Sequence, residues 1–155
     1  MQDIYERLKE LGLELPKAPA KGGVYSPSKL FGGNLIYVSG CGPVIDTQPI
    51  AGKVGQEFTR DEAKIFARNA MLNVLSVLEA KIGDLNKVKQ AVKILVLVAS
   101  DDNFYEQPYV ANGGSQLLVD LFGEEAGAPT RSAIGVNVLP GNIPVEIEGI
   151  FEVEL

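Results

Sequence analysis

Apolar residues recur at helical spacing in three stretches, which predict helices over residues 3–11, 59–82 and about 109–122. Thr59 has the side chain of an N-cap, and Gly12 and Gly83 stand where the first two helices should end. The pair Gly113 and Gly114 is expected to weaken the third helix, because glycine lowers helix propensity. The pattern therefore predicts one short amphipathic helix and two long ones.

Strands rich in β-branched residues are predicted between and after these helices, over residues 34–40, 88–99, 131–138 and 145–155. Two long helices and several strands predict an α+β sandwich, in which a mixed or antiparallel sheet carries both long helices on one face. We expect a single domain over residues 1–155, made of an amino-terminal helix and connector (1–20) and a core (21–155).

The predicted strand that contains Arg131 raises the question of what covers the second face of the sheet. Alternation along this strand predicts that Ile134, Val136 and Val138 face the helices. Arg131 and Ala133 are then expected on the opposite face. A sheet with helices on one side leaves its other face to water or to another subunit, and small residues there favour an oligomer.

A simple hairpin is predicted between the last two strands, with its turn at Gly141. This hairpin places Arg131 opposite about Glu152 and leaves Glu146 about six residues, or roughly 20 Å, further along. The two side chains could then share a ligand only if the site joined two subunits. Without other information, the alternating glutamates of this last strand are typical of a solvated strand face.

The composition limits which partners and which kinds of catalytic or metal site this chain can have. Fourteen basic and 20 acidic side chains give a net charge of −6, which disfavours nucleic acid as a partner. The sequence has no histidine, so Ser-His-Asp and Cys-His systems and histidine zinc sites are excluded. Its single cysteine, Cys41, is expected to be a packing residue. No stretch is apolar enough for a signal peptide or a membrane span, and we expect a cytoplasmic protein with no membrane partner.

Several ordered motifs carry a resemblance to a known family. Residues 33–40, 129–133, 138–140 and 145–148 together resemble the signature of the Rid/YjgF family, whose older description is endoribonuclease L-PSP. The resemblance runs from about residue 20 to the end, and the amino-terminal helix resembles the addition of a longer-chain subgroup. It implies a chorismate-mutase-like fold and a homotrimer with sites between subunits. It also implies hydrolysis of 2-aminoacrylate-like enamines and imines to 2-keto acids and ammonia, with no cofactor and no metal.

The resemblance also implies which residues act. The family's carboxylate-binding arginine falls on Arg131, whose planar guanidinium matches a carboxylate bidentately. Its water-positioning glutamate falls on Glu146. Further substrate-binding positions of the family fall on Ser39, Gly40, Ala133, Asn112 and Tyr25. Ala133 would bind the substrate through its backbone N–H. Tyr25 is offset by one position from the family's tyrosine.

Two other functions remain open from the same residues. In one, the protein is a binding module that holds small carboxylates or keto acids on Arg131 without turnover. In the other, it cleaves RNA, as the older family description says. The acidic charge and the missing histidine count against ribonuclease activity, because many ribonucleases use histidine acid–base pairs.

Overall fold

A computed structural model describes residues 2–155 as one five-stranded sheet covered by helices on one face. Met1, the first residue of the predicted domain, lies outside the described residues. The helices are α1 (Ile4–Glu10), α2 (Arg60–Ile82), α3 (Gln107–Phe122) and α4 (Glu124–Gly127). The strands are β1 (Ser28–Phe31), β2 (Leu35–Cys41), β3 (Val88–Ala99), β4 (Thr130–Val136) and β5 (Val145–Val153). Short 3₁₀ turns occupy Leu85–Lys87 and Pro140–Asn142.

The sheet is mixed, with strand order β1-β2-β5-β3-β4. Its one parallel pair is β3 with β4, and its other neighbours are antiparallel. The buried sides of the strands meet α2 and α3 in one apolar core. This arrangement confirms the predicted α+β sandwich with two long helices on one sheet face.

The predicted ends of α2 are confirmed in detail. The Thr59 side chain accepts a hydrogen bond from the Glu62 N–H, and the Glu62 carboxylate accepts one from the Thr59 N–H, which forms a capping box. Gly83 ends the helix in the left-handed conformation, with φ of 85°. The third predicted helix, α3, begins two residues earlier than expected, because Pro108 suits the first turn of a helix.

The glycine pair in α3 has a packing role that its propensity did not reveal. A Cβ atom on Gly113 would lie 2.9 Å from the Lys64 carbonyl carbon of α2, and one on Gly114 would lie 3.0 Å from the Ile147 side chain. The two glycines therefore allow α3 to approach α2 and the sheet closely. Tertiary packing outweighs the loss of helix propensity at these positions.

The predicted hairpin between the last two strands is wrong. Strand β3 lies between β4 and β5, so Arg131 pairs with Ile94, and Ile94 in turn pairs with Gly149. Glu152 pairs instead with Leu35 and Gln90. The connection through the turn before β5 crosses the intervening strand, which a pattern of turn residues cannot show.

The predicted orientation of β4 is also wrong. Arg131 and Ala133 face the helices, whereas Ile134 is 45% exposed and Val138, just beyond the strand, is 63% exposed on the open side. Small residues face inward here because α3 begins close to the strand. A Cβ atom on Gly135 would lie 2.8 Å from the Gln107 side chain.

The amino-terminal helix is part of the same core. Ile4 and Leu8 of α1 are buried among residues of α2 and α3, and Arg7 donates a hydrogen bond from Nε to the Asp120 carbonyl of α3 at 2.8 Å. Among residues 2–155, none of the helices has the length and apolar character needed to cross a membrane.

Candidate functional site

Arg131 lies on β4, at the edge of the sheet, and is held by α3. Its Nη1 atom donates to Asn112 Oδ1 at 2.7 Å and to Ser115 Oγ at 3.2 Å. Within residues 2–155 no carboxylate forms an ion pair with this guanidinium. Arg131 is only partly buried, so N–H donors other than those of Nη1 are accessible, and a guanidinium of this kind can bind a carboxylate.

Ala133 lies two residues beyond Arg131 and on the same face of β4. The Val136 carbonyl accepts a hydrogen bond from the Ser100 N–H, which continues the pairing with β3. Backbone groups alternate in direction along a strand, so the N–H of Ala133 points away from β3. Because β4 is an edge strand, no strand of the described residues lies on that side to accept a hydrogen bond from this N–H.

A second group of predicted site residues lines a pocket of about 260 Å³ at the other end of the sheet. It contains Ser39, Gly40, Tyr25 and Glu146, together with Lys21, which the sequence did not single out. The Ser39 hydroxyl donates to the Ser26 carbonyl at 2.8 Å, and the Tyr25 hydroxyl accepts from the Gly22 N–H at 2.8 Å. These bonds fold the segment before β1 over the pocket.

Glu146 is the acidic group of this pocket. Burial raises the pKa of its carboxyl group above the usual 4.5, and the negative charge of Glu148 raises that pKa further. Glu148 in turn accepts a hydrogen bond from the Tyr37 hydroxyl at 2.9 Å. A carboxylate with a raised pKa is a stronger base, which suits it to take a proton from water.

Cys41 borders the same pocket but is buried, with its thiol 3.5 Å from the Ser39 carbonyl. Burial, together with the nearby Glu146 charge, raises the pKa of this thiol to about 12. Cys41 is therefore a neutral thiol at physiological pH and a poor nucleophile. Its position agrees with the packing role expected from the sequence.

The two groups lie apart within one chain. Arg131 faces the helices, whereas Glu146 alternates with the buried Val145 and Ile147 and so faces the open side. Gly149 of β5 is level with Arg131 of β4, two strands away, because both pair with Ile94 of β3. Glu146 lies three residues from Gly149 along β5. The Cα atoms of Arg131 and Glu146 are therefore about 14 Å apart. The structure therefore divides the predicted site residues into two groups, called half-sites here: one contains Arg131, Asn112 and Ala133, and the other contains Ser39, Gly40, Tyr25 and Glu146.

Sequence reasoning missed Ser115, which completes the support of Arg131. The spacing of Asn112 and Ser115, three residues apart on one helix, is the signal that could have found it, because such residues share a helix face.

Similarities to known proteins agree with this fold. Residues 5–148 match the family described as "YjgF/chorismate_mutase-like, putative endoribonuclease". The chain belongs to this family. The match confirms the resemblance that the sequence motifs indicated. One relative, protein TCP17 of Trypanosoma cruzi, is 40% identical to this chain, over 96% of this chain and 93% of its own length.

The chain is also similar, over most of its length, to a protein named as a deaminase and to two solved structures. A 2-iminobutanoate/2-iminopropanoate deaminase of Dermatophagoides farinae is 31% identical, over 92% of this chain and 95% of its own. The crystal structure of Atu1372, a protein of unknown function from Agrobacterium tumefaciens, has a TM-score of 0.89 at 38% identity, covering 97% of this chain and 92% of that one. That coverage is wide enough to include part of α1. RidA of Psychrobacter has a TM-score of 0.60 at 28% identity, covering 88% and 94%.

Proposed function

We propose that this protein hydrolyses small 2-imino acids, and their enamine tautomers, to 2-keto acids and ammonia. The observation that carries the proposal is Arg131, a guanidinium oriented by Asn112 and Ser115 that has no carboxylate partner among the described residues. The family relative from Dermatophagoides farinae, named as a 2-iminobutanoate/2-iminopropanoate deaminase, supports the same chemistry.

Arg131 binds the substrate carboxylate, and the edge N–H of Ala133 adds a second donor beside it. Because Asn112 and Ser115 both accept from the same Nη1, they fix the plane of the guanidinium before the substrate arrives. Pre-orientation of this kind raises the fraction of productive substrate poses. The substrate's C2 atom then lies just beyond the carboxylate, facing away from the chain that holds it.

Glu146 acts on water. As a carboxylate it removes a proton from a water molecule that adds to C2 of the protonated imine, and a C–O bond forms while the C=N bond becomes C–N. Glu146 passes the proton it took from water to the nitrogen of the resulting carbinolamine. The C–N bond then breaks, ammonia leaves, and the Glu146 carboxylate takes the hydroxyl proton as the keto group forms. The released ammonia carries this proton away as ammonium, so no redox partner or metal is needed.

The two half-sites must meet for this reaction, and within one chain they lie on opposite faces of the sheet. We therefore place the complete site between two copies, with Arg131 from one and Glu146 from its neighbour. A homotrimer, in which the open sheet faces cover one another, provides three such sites. The lone buried thiol of Cys41 suits a reducing compartment such as the cytoplasm.

Mixing two inactive variants tests both the residues and their arrangement. Arg131→Ala and Glu146→Gln chains are each prepared, then unfolded, mixed in equal amounts and refolded together. If the site joins two copies, about a quarter of the interfaces receive both intact residues, and about a quarter of the wild-type imine hydrolysis returns. A coupled assay that generates 2-aminoacrylate and follows pyruvate release measures the rate.

The matched control mixes wild-type chains with the Arg131→Ala/Glu146→Gln double variant. Sites between copies again leave about a quarter of the interfaces intact, whereas sites within one chain leave about half of the activity. A wild-type protein that does not accelerate pyruvate release contradicts the deaminase proposal. If such a protein still binds 2-ketobutyrate, in an Arg131-dependent manner, it is a carboxylate-binding module instead.

A further inference from the structure

A groove among the helices is lined by residues of neither half-site. Residues just after α1, together with residues of α2 and α3, enclose a volume of about 280 Å³. Its apolar walls are formed by Leu11, Leu13, Ile65 and Leu117. The volume is close to the lower end of the range for small-molecule sites, about 300–1,000 Å³.

Arg68 of α2 lines this groove with most of its hydrogen-bonding capacity unused. Its Nε atom is buried and has no hydrogen-bond partner within residues 2–155. Its Nη2 atom makes one long contact, 3.4 Å to Asn69 Oδ1, and the three ion pairs of the described chain do not include it. Buried N–H groups are nearly always satisfied in native proteins, and this guanidinium lines the groove with N–H donors that have no partner among the described residues. It can therefore donate to an acceptor from outside the chain.

The other polar side chains of the groove are already engaged. Lys64 places its ammonium over the Tyr109 ring, 4.7 Å from the centroid. Gln116 donates from Nε2 to Asp120 Oδ1 at 2.9 Å. Asp120 adds a negative charge at one side of the groove, which favours a ligand with one negative charge over a ligand with two.

We propose that this groove binds a small monocarboxylate with an aliphatic chain. The carboxylate accepts hydrogen bonds from Arg68, and the chain packs on Leu13, Ile65 and Leu117. A guanidinium beside an apolar surface favours a ligand of this kind, because its carboxylate pairs with the guanidinium while its aliphatic chain buries apolar surface. The site is separate from Arg131, whose partners Asn112 and Ser115 lie on a neighbouring face of α3.

Isothermal titration calorimetry with 4-methylpentanoate tests the proposal. The titration uses the full chain carrying Arg131→Ala, so that the proposed active site does not contribute. We expect one saturable site per chain, weakened about tenfold or more when Arg68→Met is added, because a charge-assisted hydrogen-bonding partner is lost. The matched control Lys64→Met removes the same charge from the same groove and should change the affinity less than about twofold.

A second variant guards against misfolding of the Arg68→Met protein. Ile65 is 51% exposed, so Ile65→Glu is compatible with folding, and the new carboxylate should repel the ligand and weaken binding about tenfold. The uncharged alcohol 4-methylpentan-1-ol should not bind at the same concentrations. No saturable binding at millimolar concentrations, or equal affinity in the Arg68→Met and Lys64→Met proteins, would overturn the proposal.

Discussion

The carboxyl group of Glu146 lies directly over Gly40, with its Cδ atom 2.8 Å from the point that a Cβ atom at position 40 would occupy. A methyl group there cannot coexist with the observed position of Glu146. The absence of a side chain at Gly40 is therefore what lets the carboxylate lie across β2 and into its pocket.

Gly40→Ala should consequently displace Glu146 and slow imine hydrolysis. General-base contributions are about 10²–10⁴-fold, and we expect a loss of at least about tenfold, approaching the rate of Glu146→Gln. Carboxylate binding on Arg131 should be retained, as calorimetry with 2-ketobutyrate can show. Gly23→Ala is the control, because a Cβ there meets only the Tyr25 ring, at 3.8 Å. Unchanged kinetics in Gly40→Ala would show that Glu146 does not act from this position.

Glu146 should make stability and activity depend on pH in opposite senses. Its pKa is raised in the folded protein, so the stability associated with its neutral form is present at acid pH and lost as pH rises through that pKa. Glu146→Gln should therefore raise the free energy of unfolding at pH 7, with an advantage that disappears below about pH 4.5. Urea unfolding across this pH range measures the effect.

Activity needs the deprotonated carboxylate, so the rate should fall as pH decreases through the raised pKa of Glu146. Glu148→Gln removes the second cause of that raised pKa. The acid limb of the kcat profile should then move to lower pH. An acid limb that does not move would mean that another group controls it.

Asn73 should anchor the wall of the Glu146 pocket to α2. This side chain is 3% exposed, and its Nδ2 atom donates to the Gly42 carbonyl at 2.9 Å and the Val44 carbonyl at 3.0 Å. Asn73→Ala should lower the free energy of unfolding by about 1–3 kcal/mol, because two carbonyls lose their donor. Asn69→Ala, one turn earlier and less buried, should change it by less than about 0.5 kcal/mol. Equal losses in urea unfolding would contradict this role.

Tyr5 should link α1 to the end of α2. Its hydroxyl donates to Glu79 Oε2 at 2.6 Å and accepts from the Leu85 N–H at 3.0 Å. Tyr5→Phe should lower the free energy of unfolding at pH 7 by about 1–2 kcal/mol. Burial and the hydrogen bond to Glu79 raise the pKa of Tyr5 to about 12, so its contribution is present below pH 10 and lost as pH rises through 12.

Alkaline unfolding therefore separates this hydroxyl from general packing. The difference between the wild type and Tyr5→Phe should shrink between pH 10 and 12, as Tyr5 ionises in the wild type. A difference that stays constant over this range would assign the effect to packing alone. The Tyr25→Phe protein, changed at an exposed tyrosine outside α1, is the control.

Local signals in the sequence predicted several elements closely. Helix α2 was predicted with its cap at Thr59 and its end at Gly83, because capping and left-handed termination depend on neighbouring residues. Strand β3 was predicted with its observed ends. Strand β1 was missed, since Ser28–Phe31 is a short edge strand without a clear alternation.

The family, the two long helices and the residue types available for chemistry could all be recognised from the sequence. The position of β3 between β4 and β5, and the orientation of Arg131 toward the helices, became clear only in the folded chain. Alternation shows which residues of a strand share a face, but it does not show which face is buried or which strand lies beside it. Those choices depend on contacts between distant segments, such as the approach of α3 to Gly135.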